Sequence, residues 1–353
     1  MFDLLSEPAL AALIGLGGGI VLGLAARLGR FCTLGAIEDQ LYGNSSARLR
    51  MWGVAIGVAV VATFGLIAIN LLEPTSSFHI AQSFSLPGAV MGGLVFGYGM
   101  ALCGNCGYGA LARLGGGDMR AFVIVGVMGI TAYATIAGPL SGVRVSAFGR
   151  GASEQPQGIA QALEAVTGLS ATAIGLTLGI AIVAVTLRGA RAAGMNGKQV
   201  VWGAAVGLAI ATAWVGTQWL ATRGFDGLPV VSHSFSAPVG ETLLYIMTSS
   251  GAQPSFAIGS VTGIVVGSAL GSLFQGHFRW EACEDPRELR RQIFGAALMG
   301  WGAVTAAGCS IGQGLSAFSL LAFSAPLTLG AIYIGTAIGL RQVIEGWPLR
   351  QIN

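Results

Sequence analysis

Three runs of this sequence, 8–26, 51–72 and 168–187, carry almost no charge. Each is close to the roughly 20 residues that a helix needs to cross a hydrocarbon core of ~30 Å. The rest of the chain points the same way, with 54% apolar and only 9% charged residues, where about 25% charged is usual for a soluble domain. A chain of 353 residues has ample surface to decorate, so the lack of charge is not an effect of size. The expected fold is all-α and polytopic, in a membrane.

About nine spanning helices are expected from such runs. They fall at 8–28, 51–72, 87–103, 119–139, 168–188, 200–221, 255–274, 292–308 and 324–341, while 237–250 is too short to assign. Polar connections lie at 41–50, 73–86, 141–167, 188–199, 222–236 and 276–291. The whole of 1–353 reads as one transport-type domain, with approximate halves 1–150 and 200–353 joined by 151–199. The longest connection, 141–167, is the candidate hinge between them.

Basic residues suggest sides. Arg48 and Arg50, then Arg188, Arg191 and Lys198, then Arg279, Arg287, Arg290 and Arg291 are expected in the cytoplasm. Loop 73–86 has no Lys or Arg and fits the outside, as do Asp3 and Glu7, whereas Arg341 and Arg350 fit poorly. The N-terminus, MFDLLSEPAL, lacks the positive region and cleavage site of a secretory signal and is expected to be retained. Formal net charge is +3, Arg supplies nearly all the basic residues, and they form no basic stripe. Nucleic-acid binding therefore has little support.

Glycine is abundant, 57 residues, without the strict Gly-X-Y period of collagen. It recurs at every fourth position inside apolar runs: Gly15, Gly19 and Gly23 form one row, Gly259, Gly263, Gly267 and Gly271 another. Such a row gives one helix face a flat strip on which a neighbouring backbone can lie close. There are also internal echoes. IGLGGGIVLGLA at 14–25 reads against IGSVTGIVVGSA at 258–269, and GAVMGGLVFGYGMALC at 88–103 reads against GAALMGWGAVTAAGC at 295–309. The expected spans send 87–103 inward and 292–308 outward, so that pair would be an inverted repeat, a common construction in transporters.

The chemistry-bearing feature is a turn that occurs three times. It reads Gly29-Arg30-Phe31-Cys32-Thr33-Leu34-Gly35, then Cys103-Gly104-Asn105-Cys106-Gly107-Tyr108-Gly109, then Gly308-Cys309-Ser310-Ile311-Gly312-Gln313-Gly314. Each ends an apolar helix, and each precedes a segment too short to span: 33–41, 107–115 and 311–320. Broken backbone at membrane depth survives only inside protein or beside a water-filled cavity. A short re-entrant helix starting there points its N–H groups and the positive end of its dipole into that cavity. Three such ends around one point would suit a small anion. A thiol in a dry site stays protonated and is a weak, soft donor. Transport needs shallow wells, and a hydroxyl would suit hard oxyanions better, so thiols at a constriction suggest a soft, sulfur-bearing anion.

Other readings are open from the residues alone. Cys103-x-x-Cys106 could be a redox pair or half of a metal site. A zinc site wants four ligands, and His79, His233 and His277 all fall in polar connections, as solvated loop residues. No HExxH, Walker A or GxSxG motif occurs. No buried carboxylate pair marks a proton relay. Cys283, within WEACEDPRELRR, reads as incidental. The three function classes are thus an anion transporter, a membrane thiol oxidoreductase using Cys103 and Cys106, and a structural subunit in which the cysteines are replaceable.

At the three turns the chain resembles the YeeE/YedE family of bacterial inner-membrane transporters of thiosulfate and sulfur compounds. The matching stretches are RFCTLGAIED at 30–39, CGYGALARLGGGDMR at 106–120 and LMGWGAVTAAGCSIGQGLSAFS at 298–319. The resemblance implies a compact helical protein whose loops dip from both sides to a narrow path. It also implies that three cysteines relay thiosulfate by S–H hydrogen bonds; by motif these are Cys32, Cys106 and Cys309. It implies no cofactor, membrane lipid as surroundings, and a cytosolic sulfur-carrier protein of the TusA type as receiver. Cys103 departs from the family pattern, which has a small residue without a thiol there. It could be silent, a fourth relay thiol, or a disulfide partner of Cys106, because a helical i, i+3 spacing would bring the two close. Accessory candidates in the same turns are Gly35, Gly107, Gly312 and Gln313. Arg30 could attract an anion at the mouth or mark the cytoplasmic edge. Arg113 could pair with Asp118 or guide the anion, and Glu38 and Asp39 read as caps or surface residues.

Overall fold

A computed structural model describes residues 6–149, 151, 156–190, 192–281 and 285–346. Asp3, Arg191, Cys283 and Arg350 lie outside the described residues. Fifteen α-helices make up the described fold: α1 (Glu7–Leu28), α2 (Thr33–Leu41), α3 (Ala47–Ala68), α4 (Phe78–Ala81), α5 (Leu86–Cys103), α6 (Gly107–Gly115), α7 (Met119–Ile136), α8 (Ser141–Phe148), α9 (Ile159–Thr167), α10 (Ala171–Leu187), α11 (Gly197–Arg223), α12 (Ser236–Thr248), α13 (Phe256–Phe274), α14 (Pro286–Thr305) and α15 (Ser324–Glu345). A π-helical stretch, Gly312–Ala317, lies between the last two.

Local sequence sets the boundaries. Ser85 caps α5 by accepting the Gly88 N–H, with Pro87 in the first turn. Asp118 and Asp285 cap α7 and α14 in the same way, and Asn196 with Gln199 forms a reciprocal capping box on α11. Gly104, at φ 73°, closes α5 in the left-handed conformation that a Cβ disfavours.

Among the described residues, seven segments are long and apolar enough to cross a membrane, those built on α1, α3, α5, α7, α11, α13 and α15. The pair α9–α10, bent by 120°, makes an eighth if counted as one span. The multi-pass fold agrees with the sequence expectation, but the count is lower than nine. Two expected spans account for the difference: 168–188, whose α10 counts only together with α9, and 292–308 in α14, whose first two turns carry Arg287, Glu288, Arg290 and Arg291 and leave too short an apolar remainder. The expected short segments 33–41 and 107–115 coincide with α2 and α6. The connection 141–167 contains α8 and α9, and is tied down by bonds from Gln157 N to Ile80 O and from Ile159 N to Leu321 O.

The glycine rows meet each other. Gly15, Gly19 and Gly23 face the backbone of Phe256, Ser260 and Ile264 in turn, and Gly259, Gly263 and Gly267 face Ala12, Leu16 and Ile20. Contacts that advance together along both chains make α1 and α13 parallel. Along α5, Gly92 faces Gly302 and Ala306 while Gly99 faces Gly295 and Met299, so α5 and α14 run antiparallel. That is the sense an inverted pair requires. The other echo, α1 with α13, is parallel, so one inversion does not relate both.

Following the helices gives two ends. One collects the C-termini of α1, α5, α10, α13 and α15 and the N-termini of α3, α7, α11 and α14; it is cross-linked by Tyr42 Oη to Glu345 and by Arg120 to Glu281 and Glu288. Every described Lys and Arg except Arg144 and Arg223 sits at that end. Arg341 joins them, paired to Glu345. Its poor fit in the sequence reading is corrected by the direction of α15, which runs parallel to α5, with Gly93 against Thr328 and Gly97 against Ile332.

Candidate functional site

Two of the three cysteine turns share one local structure. Cys32 is the N-cap of α2, and its Sγ accepts the Gly35 N–H at 3.5 Å. Cys106 is the N-cap of α6, and its Sγ accepts the Gly109 N–H at 3.4 Å. Sulfur stands here where Ser or Asp would ordinarily cap. With a lone pair engaged by the backbone, each S–H is left as a donor. Cys309 immediately precedes helical residues 310–319, and its own carbonyl accepts the Gln313 N–H at 2.8 Å. Its Sγ accepts the Phe235 N–H at 3.4 Å and lies 3.7 Å from Ser234 Oγ.

The three turns converge. Cys106 and Cys309 lie in one buried core cluster, and Cys32 packs against it. Thr33 Oγ1 donates to Ser310 Oγ at 3.1 Å, joining the first turn to the third across 277 positions. Aromatic rings pack around this point: Phe31 lies 6.3 Å from Tyr108, Tyr108 lies 5.8 Å from Phe235, and Trp52 stacks on Phe31 at 4.8 Å. Tyr108 Oη donates to Leu22 O at 2.6 Å and pins α6 to α1. Cys106 and Cys309 are buried and Cys32 is half-buried. The first two turns come from the arginine-rich end. The third, with residues 232–235, comes from the opposite end, where a cavity of about 380 Å³ reaches down to Ser234 and Ala307.

Cys103 is set apart from this point. Its thiol donates to Gln292 O on α14 at 3.0 Å and packs against Gly295, which makes it part of the α5–α14 contact. It and Cys106 are both free thiols.

The accessory candidates divide. Gly35 and Gly107 lie in the first turns of α2 and α6; a Cβ on Gly35 would strike the Arg48 guanidinium, and one on Gly107 would meet Met128 Sδ at 2.8 Å. Gly312 lets the 232–235 segment approach, since a Cβ there would meet Ser234 Oγ at 2.7 Å. Gln313 is fully buried and ties the backbone before the third turn to a side chain after it. Its Nε2 donates to Ala306 O and Ala307 O, each at 3.0 Å, and its Oε1 accepts from Ser324. Arg30 is exposed, at φ 55°. Arg113 is exposed and does not pair with Asp118, which binds Arg120 instead, because Asp118 caps α7 beside that side chain. Asp39 forms a two-pronged ion pair with Arg48.

His233 corrects the sequence reading most. It is not a solvated loop residue: it is fully buried, Nδ1 lies 2.6 Å from Ser260 Oγ, and its carbonyl accepts from Ser316 at 2.7 Å. It anchors the segment whose next two residues touch Cys309. His79 is half-buried and His277 is exposed. Thr33, Ser310, Ser234 and Phe235 were also missed. The signal available for the first two was a hydroxyl residue directly after a cysteine in two of the three turns. Asn105, buried beside Cys106, has a side-chain oxygen with no protein partner.

A bundle of apolar helices that brings thiols at the starts of short helical segments together from both ends defines a multi-pass membrane protein of the transporter class. Residues 28–338 match the family described as Sulphur transport, and the chain belongs to it. It is similar to a thiosulfate transporter, TsuA, of Escherichia coli K12, with 26% identity over 338 residues and 92% of each chain covered. It is also similar to a TsuA thiosulfate transporter of Spirochaeta thermophila, with 26% identity over 328 residues, covering 88% of this chain and 92% of the relative.

Proposed function

We propose that the protein takes up thiosulfate, or a closely related sulfur anion, across the bacterial inner membrane. The observation that carries the proposal is the convergence of Cys32, Cys106 and Cys309 from two opposite ends of the molecule, each where a short helical segment begins. The anion enters the cavity at the arginine-poor end, meets Cys309 below Ser234, and passes by Cys106 to Cys32. At each step a neutral S–H and helix-terminal N–H groups offer weak bonds, so no step holds the ion firmly. The arginine-rich end then lies in the cytoplasm, where a small sulfur carrier of the TusA type receives the ion.

The thiol oxidoreductase reading needs Cys103 and Cys106 to act as a pair. The commitment of the Cys103 thiol to Gln292 O gives that reading no support. Uptake of radiolabelled thiosulfate into cells lacking their own importers tests the proposal. Wild type is compared with Cys32→Ala, Cys106→Ala and Cys309→Ala at matched membrane levels. Uptake above empty vector in wild type and its loss in each variant is the expected result. Full uptake in all three variants would leave the thiols without a role.

A further inference from the structure

We propose that Thr33 and Ser310 are the hard end of the anion site: their hydroxyls, bonded to each other, take the oxygens of the passing ion while the thiols take its sulfur. This rests on the reading of the site given above and deepens it to the two chemically different ends of the substrate.

The position is the first argument. Each residue directly follows a path cysteine, Cys32 and Cys309, and each is buried. Thr33 joins the first turn directly to the third through its bond to Ser310.

The partner is the second argument. Hydroxyls in the helices of this protein mostly turn back on their own backbone. Thr131 bonds Val127 O, Thr217 bonds Ala213 O, Ser272 bonds Ser268 O and Thr336 bonds Ile332 O. Thr33 and Ser310 open their helices, where no carbonyl four residues back is available, and they bond side chain to side chain instead.

Exchange is the third argument. Each hydroxyl is both donor and acceptor. A neutral hydroxyl–hydroxyl bond is weaker than a hydroxyl bond to an anion. An arriving oxyanion therefore replaces one weak bond by two stronger ones, and the hydroxyls close again when it leaves. An ion with one terminal sulfur and several oxygens engages both thiols and hydroxyls. An all-oxygen ion engages only the hydroxyls, and hydrosulfide only the thiols.

The test is uptake kinetics of radiolabelled thiosulfate in proteoliposomes holding the full chain, for wild type, Thr33→Val, Thr33→Ser, Ser310→Ala and Ser310→Thr. Sulfate and hydrosulfide serve as competitors. Thr33→Val and Ser310→Ala are expected to raise KM about tenfold, the loss of one charge-assisted bond. The two hydroxyl-keeping variants stay within about twofold, well under such a loss. Inhibition by sulfate weakens in step with KM, and inhibition by hydrosulfide does not change. A KM for Thr33→Val equal to wild type overturns the assignment. So does a parallel loss of hydrosulfide inhibition, which means the turns have merely been distorted. Wild type without thiosulfate uptake overturns the transport reading, and this inference with it.

Discussion

At the scale of single residues, the four described cysteines are chemically alike and structurally of two kinds. Cys32, Cys106 and Cys309 hold a sulfur at the start of a helical segment, and Cys103 donates to a carbonyl inside a helix–helix contact. Cys103→Ala is therefore expected to keep thiosulfate uptake and lose about 1 kcal/mol of stability, one hydrogen bond's worth. Uptake assays paired with thermal unfolding of the purified protein read both; loss of uptake with unchanged stability would move Cys103 into the path. The three turns were legible in sequence because Cys beside Gly at the end of an apolar run is a local pattern. His233 was not legible. Its burial depends on Gly18 of α1 leaving room for the imidazole and on Ser260 of α13 meeting it, both remote in sequence. The Thr33–Ser310 bond was hidden for the same reason.

At the scale of elements, lipid offers no hydrophobic drive for helix association, so close backbone approach must supply it. The rows on α1 and α13 do this by facing each other. Gly263→Val places a branched side chain against Leu16 O and Gly19 and is expected to cost about 1–3 kcal/mol, as overpacking does. Gly17, on the partner helix α1, has open space where a Cβ would go. Gly17→Ala is expected to be neutral or to stabilise by up to about 1 kcal/mol. Unfolding midpoints in detergent separate the two; similar losses for both would mean that the row is not the contact that matters. Helix positions followed from apolar runs and caps, and α2 and α6 from the brevity of their segments. The shortfall in span count came from α14, where apolar content is too low even though the helix is long, and from α10, which at 17 residues counts only with α9. Which helices pair, and in which direction, was not readable, because a glycine row states that something comes close and not what.

At the scale of the whole molecule, charge divides the two ends more cleanly than loop counting suggested, since Arg341 joins the rest. The orientation has a direct check. Phe225 is 98% exposed at the arginine-poor end and Trp280 is 75% exposed at the other. In intact cells a membrane-impermeant maleimide is expected to label Phe225→Cys above the wild-type background. Trp280→Cys is expected to react only after the cells are broken. The reverse pattern would invert the molecule and make the proposed uptake an export.

The distance between the pieces of the site along the chain has a consequence for how the protein is made. Thr33 emerges from the ribosome early, and its partner Ser310 follows 277 positions later. Until that last stretch is inserted, the growing polypeptide has spanning helices but lacks the bond that joins the first turn to the third, so the two ends of the site are tied together only once Ser310 is in place.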